Sequence, residues 1–245
     1  MCTVVLLIRP GHAWPVVMAA NRDEMLERAW DPPGPHWPGQ PDVVGGRDRA
    51  AGGTWMAMNG AGVVAAVLNR QGSLGPAPGK RSRGELPLLA LKEGTAKAAA
   101  QAIAGLDAGQ WRSFNMILAD RLEAIAIRAV GAGEPEAKKL GPGVHMVTAH
   151  DVDDPASPRV ARHLPRFRAA AAPEAGDWRE WQAILADQSG PPGSELNVPP
   201  RGGFGTSCAS LLALPADGAP EWLFAPGAPH TAAFSPVQLS HPVTT

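Results

Sequence analysis

Apolar positions along this chain fall into short runs, and most runs have the length and spacing of strands. "TVVLLI" (3–8) is uninterrupted apolar sequence, as a strand buried on both faces requires. "RPGHAWP" breaks it, and "VVMAA" (16–20) follows as its antiparallel neighbour, ending at four polar residues, Asn21, Arg22, Asp23 and Glu24. The prolines of "DPPGPHWPGQP" (31–41) remove donors and fix φ, which predicts an extended surface loop. "GGTWMAM" (52–58) and "VVAAVLNR" (63–70) flank "NGAG" and predict a hairpin, with Asn59-Gly60 suited to a turn of positive φ. Residues 86–106 are rich in Leu and Ala at helical spacing, divided by Gly94.

A second β block follows. "SFNMILAD" (113–120) and "LEAIAIRA" (122–129) pattern as paired strands, and "GVHMVTA" (143–149) as another. "SPRVARHLPRFRAAAA" (157–172) is helical but interrupted by Pro165, and "DWREWQAILADQ" (177–188) is a helix with Asp177 as its N-cap. A Gly/Pro loop (190–205) leads to the strands "TSCASLLAL" and "EWLFAP". Helices segregated from antiparallel strands predict an α+β fold with stacked sheets. With no internal repeat and no linker, residues 1–245 read as one domain.

Composition narrows the function classes. Hydrophobic residues are 44% and charged residues 18%, within the globular range, and a formal net charge of -1 gives no pull toward nucleic acid. No apolar run reaches the roughly 18–20 residues that span a bilayer, and the N-terminus lacks the basic region and long apolar run of a signal peptide. The expectation is a soluble cytoplasmic protein acting on a small molecule. Its two cysteines, Cys2 and Cys208, form no bridge by default in a reducing compartment, and Cys208 reads as an inert thiol in a core strand.

Cys2 carries the sharpest chemical signal. A small second residue favours removal of Met1, which leaves a thiol and an α-amine on one Cα. A free α-amine has a pKa of about 7.7–8.0, near the value suited to a general base at neutral pH. One residue then supplies nucleophile and base. A hairpin returns positions 21–24 to the start of the first strand, where Asp23 can hydrogen-bond the amine and Arg22 can stabilise a thiolate or a substrate carboxylate. Taken alone, the same residues also fit a bland alternative: a small residue at position 2 and a solvated strand end.

"MCTVVLLI", "AANRDEMLERAWDPP", "VVGGRDRAAGGTWMAMNGAGVVAAVLNR" and "FNMILAD" together resemble the NRDE family, also called the transport and Golgi organisation protein 2 family. The match covers most of residues 1–120 in order. "SPRV" (157–160) and "GFGTS" (203–207) match more loosely. The family is similar to the N-terminal nucleophile hydrolases, which implies a four-layer αββα sandwich of two stacked antiparallel sheets. Its cysteine members resemble amide-cleaving choloylglycine hydrolases and penicillin acylases. The resemblance implies catalytic roles for Cys2, Asn21, Asp23 and the oxyanion residue Asn69. Ala20 stands where relatives place an arginine, with Arg22 the candidate to replace it. Ala149 and His150 stand where relatives carry a second Asn, and Ser207 where the family often carries Arg.

The remaining motifs add less. Histidines at 12, 36, 145, 150, 163, 230 and 241 form no HxxxH or HxH pair and there is no CxxC, so no metal site is expected. Hydrolysis of this kind needs no cofactor. A haem needs only one His or Cys, and the resembled family is associated with haem movement and acyl-lipid metabolism. Two classes therefore stand: a cysteine amidohydrolase acting on non-peptide C–N bonds, and a non-catalytic haem or acyl-lipid carrier. Trp14, Trp30 and Trp37 either line an apolar cleft or pack loops on the core. The basic run "GKRSRGE" (79–85) either meets an anion or is simply solvated.

Overall fold

The computed structural model describes residues 2–174 and 176–239. Strands β1 (Thr3–Ile8), β2 (Val16–Met25), β3 (Trp30–Gly34), β4 (Val44–Asp48), β5 (Thr54–Met58) and β6 (Val64–Asn69) precede the short helices α1 (Leu86–Ala90) and α2 (Ala96–Ala104). Strands β7 (Phe114–Ala119), β8 (Ala124–Ala129), β9 (Glu136–Lys139) and β10 (Gly143–Val147) come next, then helices α3 (Pro158–Ala169) and α4 (Arg179–Leu185). The described chain ends with β11 (Phe204–Leu214), β12 (Glu221–Ala225) and β13 (Ser235–Pro236).

These strands build two antiparallel sheets. One is six-stranded in the order β10-β1-β2-β11-β12-β13, and the other is seven-stranded in the order β3 to β9. Alternation along each strand gives each sheet two apolar faces. Val4, Leu6, Met18 and Leu212 of the first sheet meet Met56, Val64, Leu68 and Ile117 of the second in a core between the sheets. The other face of the first sheet, with Val5, Leu7 and Leu211, buries Val160 and Phe167 of α3 and Trp181 and Leu185 of α4. The other face of the second sheet, with Ala65, Met116 and Leu118, packs on Leu86 of α1 and Ile103 of α2. The layers therefore run helix, sheet, sheet, helix, which is the expected α+β sandwich. No helix of the described residues is long and apolar enough to cross a membrane.

Several local expectations are corrected. The tetrapeptide Asn21–Glu24 does not end its strand: β2 runs on to Met25, because β11 pairs with it from Leu214↔Val16 to Phe204↔Met25. The proline-rich stretch begins as strand β3, whose ladder to β4 is irregular between Asp31 and Gly34, where Pro32 and Pro33 have no N–H to give. The β5–β6 turn has its positive φ at Gly62 (79°), not at Asn59-Gly60, since the Asn59 side chain accepts from Ala61 N and Val63 N and shapes the loop itself. Helix α3 continues through Pro165. The proline costs a backbone bond, but Val160, Leu164 and Phe167 hold the helix on the sheet. Asp177 stands one residue before the N-cap of α4, Trp178, and its carboxylate accepts from Arg179 N at 3.1 Å. Strands β4, β9 and β13 were absent from the sequence pattern, and β9 is exposed along its length.

Candidate functional site

Strand alternation decides which polar side chains face which layer. Val4, Leu6, Val16 and Met18 point between the sheets, whereas Val5, Leu7, Val17 and Ala19 point toward α3 and α4. Continuing that alternation places Cys2, Ala20 and Arg22 on the inter-sheet side, and Thr3, Asn21 and Asp23 on the helix side. The pairing Thr3↔Asn21 brings the start of β1 beside the polar segment of β2. The Cys2 thiol donates to the Asp23 carbonyl oxygen at 3.7 Å.

Cys2 is half-buried where two cavities meet. Inward lies a narrow apolar slot of about 20 Å³ between the sheets, bordered by Val4, Ala20, Met56, Leu68 and Cys208. Outward lies a wider polar cleft of about 280 Å³. Arg22, Trp55 and Val67 line both, as Cys2 does. Asn69, at the end of β6, also lines the outer cleft. Among the described residues its side-chain amide has no hydrogen-bond partner, so both amide donors are open to a ligand. Burial pushes the Cys2 thiol pKa up and Asp23 adds to that, whereas the Arg22 charge acts in the opposite direction.

Arg22 is buried, and three neighbours place it. Its Nη1 donates to Ser207 Oγ at 2.9 Å, its guanidinium carbon lies 4.4 Å from the Trp55 ring centroid, and Nη2 stands 3.8 Å from Glu24 Oε2. Ser207 sits at the irregularity between Thr206 and Cys208 in the β2–β11 ladder, which turns its hydroxyl toward Arg22. Arg22 and Ala20 are two residues apart, so Arg22 lines the same face as Ala20 does.

Asp23 and Asn21 anchor the opposite face. The Asp23 carboxylate is fully buried, with Oδ1 accepting from Thr206 Oγ1 at 2.7 Å and Oδ2 from Arg159 Nη1 at 2.8 Å. Arg159 Nη1 also donates to Thr3 Oγ1 at 2.8 Å, which ties the start of β1 to α3. Ser157 caps α3 through Val160 N, and this sets Arg159 in the helix's first turn. Asn21 Nδ2 donates to Leu185 O and Leu196 O, both at 3.0 Å, so this side chain clamps α4 and the following loop rather than facing the cleft. The structure thus brings Cys2, Arg22 and Asn69 to one cleft and sets Asp23 and Asn21 behind the same strand ends.

Sequence reasoning missed Trp55, Thr206 and Arg159. The last two lie within "GFGTS" and "SPRV", and those motifs were the available signal. Asn115 was missed as well: its Nδ2 donates to Thr148 O at 2.9 Å and its Oδ1 accepts from Arg70 Nη1 at 2.6 Å. It thereby pins the corner after Asn69 to the segment after β10, where Ala149 and His150 lie. Trp14, Trp30 and Trp37 do not line the cleft. Trp14 packs 5.7 Å from Trp178, Trp30 packs edge-on against Trp55 at 5.9 Å, and Trp37 Nε1 donates to Gly52 O at 2.9 Å. Cys208 is buried, and burial pushes its thiol up to about 12. Cys2 and Cys208 both border the slot, and both are free thiols.

The family model of Transport and Golgi organisation 2 matches residues 1–218. No curated protein sequence matches the chain. Among solved structures, the fold is similar to an N-acylethanolamine-hydrolyzing acid amidase ortholog from Caenorhabditis elegans, at TM-score 0.61 and 12% identity over 86% of this chain and 92% of that one. It is also similar to penicillin V acylase from Agrobacterium tumefaciens, at TM-score 0.51 and 14% identity over 97% and 98% of the two chains. A single-residue variant of a conjugated bile acid hydrolase from Clostridium perfringens matches at TM-score 0.53 and 11% identity over 97% of each chain.

Proposed function

Because the chain belongs to the Transport and Golgi organisation 2 family and has the fold of N-terminal nucleophile hydrolases, we propose that it is a cysteine amidohydrolase acting on non-peptide C–N bonds. The observation that carries this reading is the half-buried Cys2 thiol at the junction of slot and cleft, with Arg22 and Asn69 lining the same cleft.

Met1 lies outside the described residues, and the reading requires its removal. The freed α-amine of Cys2 then takes the thiol proton, and the thiolate attacks the amide carbonyl carbon. Negative charge develops on the carbonyl oxygen. The Asn69 amide and the Arg22 guanidinium are the donors assigned to that oxyanion. As the tetrahedral species collapses, the C–N bond breaks, and the amine leaves with the proton held by the α-ammonium. Water, deprotonated by the same α-amine, then attacks the thioester; the C–S bond breaks, the acid is released, and the Cys2 sulfur takes the proton back from the α-ammonium. Asp23 is assigned to hold the protonated amine. Its contacts to Thr206 and Arg159 fix that carboxylate in place.

The test combines intact mass with a library of acyl amides. The expected results are a mature chain beginning at Cys2, an acyl adduct on that residue, and loss of both turnover and adduct in Cys2→Ala. Retention of Met1 in a processing-competent host sinks the hydrolase reading. If no amide is cleaved and Cys2→Ala binds haem as well as wild type does, the carrier reading replaces it.

A further inference from the structure

The outer cleft is strongly basic in a chain of net charge -1. Six cationic side chains line it, Arg22, Arg28, Lys80, Arg81, Arg83 and Arg112, against two carboxylates, Glu24 and Asp48. Those carboxylates are already engaged: Asp48 lies 2.7 Å from Arg28, and Glu24 lies 3.9 Å from Arg28 and 3.8 Å from Arg22. Arg81 pairs with Glu85 at 2.6 Å. Lys80, Arg83 and Arg112 remain. Among the described residues, their hydrogen bonds go to carbonyl and hydroxyl oxygens and to no carboxylate: Lys80 to Gly109 O, Arg83 to Ser73 and Ser113, and Arg112 to Gly72 and Leu74.

Arg83 and Arg112 also share an acceptor. Arg83 Nη2 reaches Gly75 O at 3.2 Å and Arg112 Nη1 reaches it at 3.4 Å, so two like charges stand against each other. Stapling the 72–76 loop needs donors, and neutral amides supply donors without that repulsion. Burial, with the Arg112 charge adding to it, holds the Arg83 pKa down to about 10, so the group stays charged at neutral pH while its charge is costly there. An anion in the cleft offsets that cost.

The two cavities divide a substrate unequally. The inner slot, at about 20 Å³, has room for little more than a water molecule, whereas the outer cleft, at about 280 Å³, holds a small ligand. We propose that the outer cleft is an anion-binding subsite in which Lys80, Arg83 and Arg112 receive a carboxylate or phosphate. Resting on the hydrolase reading for the reaction itself, this makes the substrate of Cys2 an anionic amide whose charged body lies in the cleft, with no long acyl chain in the slot.

The experiment measures equilibrium binding of inorganic pyrophosphate and of glutarate to the purified full chain. It is run on wild type, Cys2→Ala, Arg83→Gln, Arg112→Gln, Lys80→Gln and, as a remote control, Arg179→Gln. Wild type and Arg179→Gln should bind at least one anion saturably, with affinity falling as salt rises. Each cleft variant should weaken binding about tenfold, the loss expected for one charge-assisted contact. The preferred probe distinguishes phosphate from carboxylate. Cys2→Ala should bind as wild type does, so a chain that cleaves no amide leaves this result unaffected. A second readout is independent of loop folding: iodoacetate, an anion, should alkylate Cys2 faster relative to neutral iodoacetamide than it alkylates free cysteine. Lys80→Gln should abolish part of that preference. No saturable binding of either anion by wild type, or equal weakening by Arg179→Gln, overturns the proposal.

Discussion

The Arg22 guanidinium lies over the Trp55 ring, 4.4 Å from its centroid, and so joins the two sheets across the mouth of the slot beside Cys2. Arg22 belongs to β2 and Trp55 to β5, and no sheet hydrogen bond links those strands. The contact holds a positive charge near the thiol while removing much of its hydration, a setting in which a cation–π pair contributes about 1–2 kcal/mol.

Removing that charge should slow the thiol. Arg22 lowers the Cys2 pKa against the larger upward push of burial. In Arg22→Leu the pKa therefore rises further and the thiolate fraction at about pH 7.5 falls. The rate of iodoacetamide alkylation, followed by peptide mass mapping at Cys2, should drop several-fold and recover at higher pH. An unchanged pH–rate profile contradicts the placement of this charge.

Asp23 and Arg159 should prove coupled in stability as well as in activity. Both are buried and paired at 2.8 Å, so Asp23→Asn removes the carboxylate charge from a buried ion pair, at a cost of about 3–5 kcal/mol. The double variant Asp23→Asn/Arg159→Met should recover part of that loss in urea denaturation. Simple addition of the two single losses means that the pair is not coupled.

Asn69→Ala should separate chemistry from folding. Its amide has no hydrogen-bond partner among the described residues, so its loss should change stability by less than about 1 kcal/mol. As an oxyanion donor it should lower kcat about 10²–10³-fold on any amide the wild type cleaves. A large loss of stability with intact kcat reverses the assignment.

His163 should make the fold acid-sensitive. Burial lowers its pKa to about 4, its Nε2 donates to Ser194 O at 2.7 Å, and Nδ1 accepts from Arg166. Protonation turns Nδ1 into a donor facing that guanidinium. Arg162 also opposes the charge, and Asp187 favours it. The folded pKa lies below the unfolded value, so the unfolded chain binds more protons between about pH 6.5 and 4. Stability is therefore complete above about pH 6.5 and falls as the pH drops toward 4, by up to about 2 kcal/mol after solvent screening. His163→Gln should flatten this part of the pH–stability curve; an unaltered slope assigns the acid sensitivity elsewhere.

Local pattern was enough for the interior of the fold. The runs 3–8, 54–58, 64–69, 114–119 and 124–129 are strands with nearly the bounds their apolar spacing implies, because each is buried by its own side chains and pairs with a chain neighbour. The chemistry proposed for Cys2 is likewise read from the sequence, since it depends on two groups of one residue. Where pairing comes from far along the chain, the pattern was silent. β2 carries Asn21–Glu24 as strand only because β11, some 185 residues later, supplies a ladder and the partners Thr206 and Ser207. Strands β3, β4 and β9 are written in prolines, glycines and charges, which have no alternating signal, and their neighbours impose the extended form. The division of the polar cluster followed the same rule. Spacing of two along β2 puts Arg22 on the face of Ala20 and Asp23 on the face of Asn21, but what each side chain met depended on tertiary packing: Trp55 from the other sheet in one direction, Arg159 from a helix in the other. The basic cleft is the extreme case. Lys80, Arg81 and Arg83 stand out in the sequence as one short basic run, but Arg28 and Arg112 are ordinary surface charges there, and all of them act as one field only because the sandwich folds their segments around one opening.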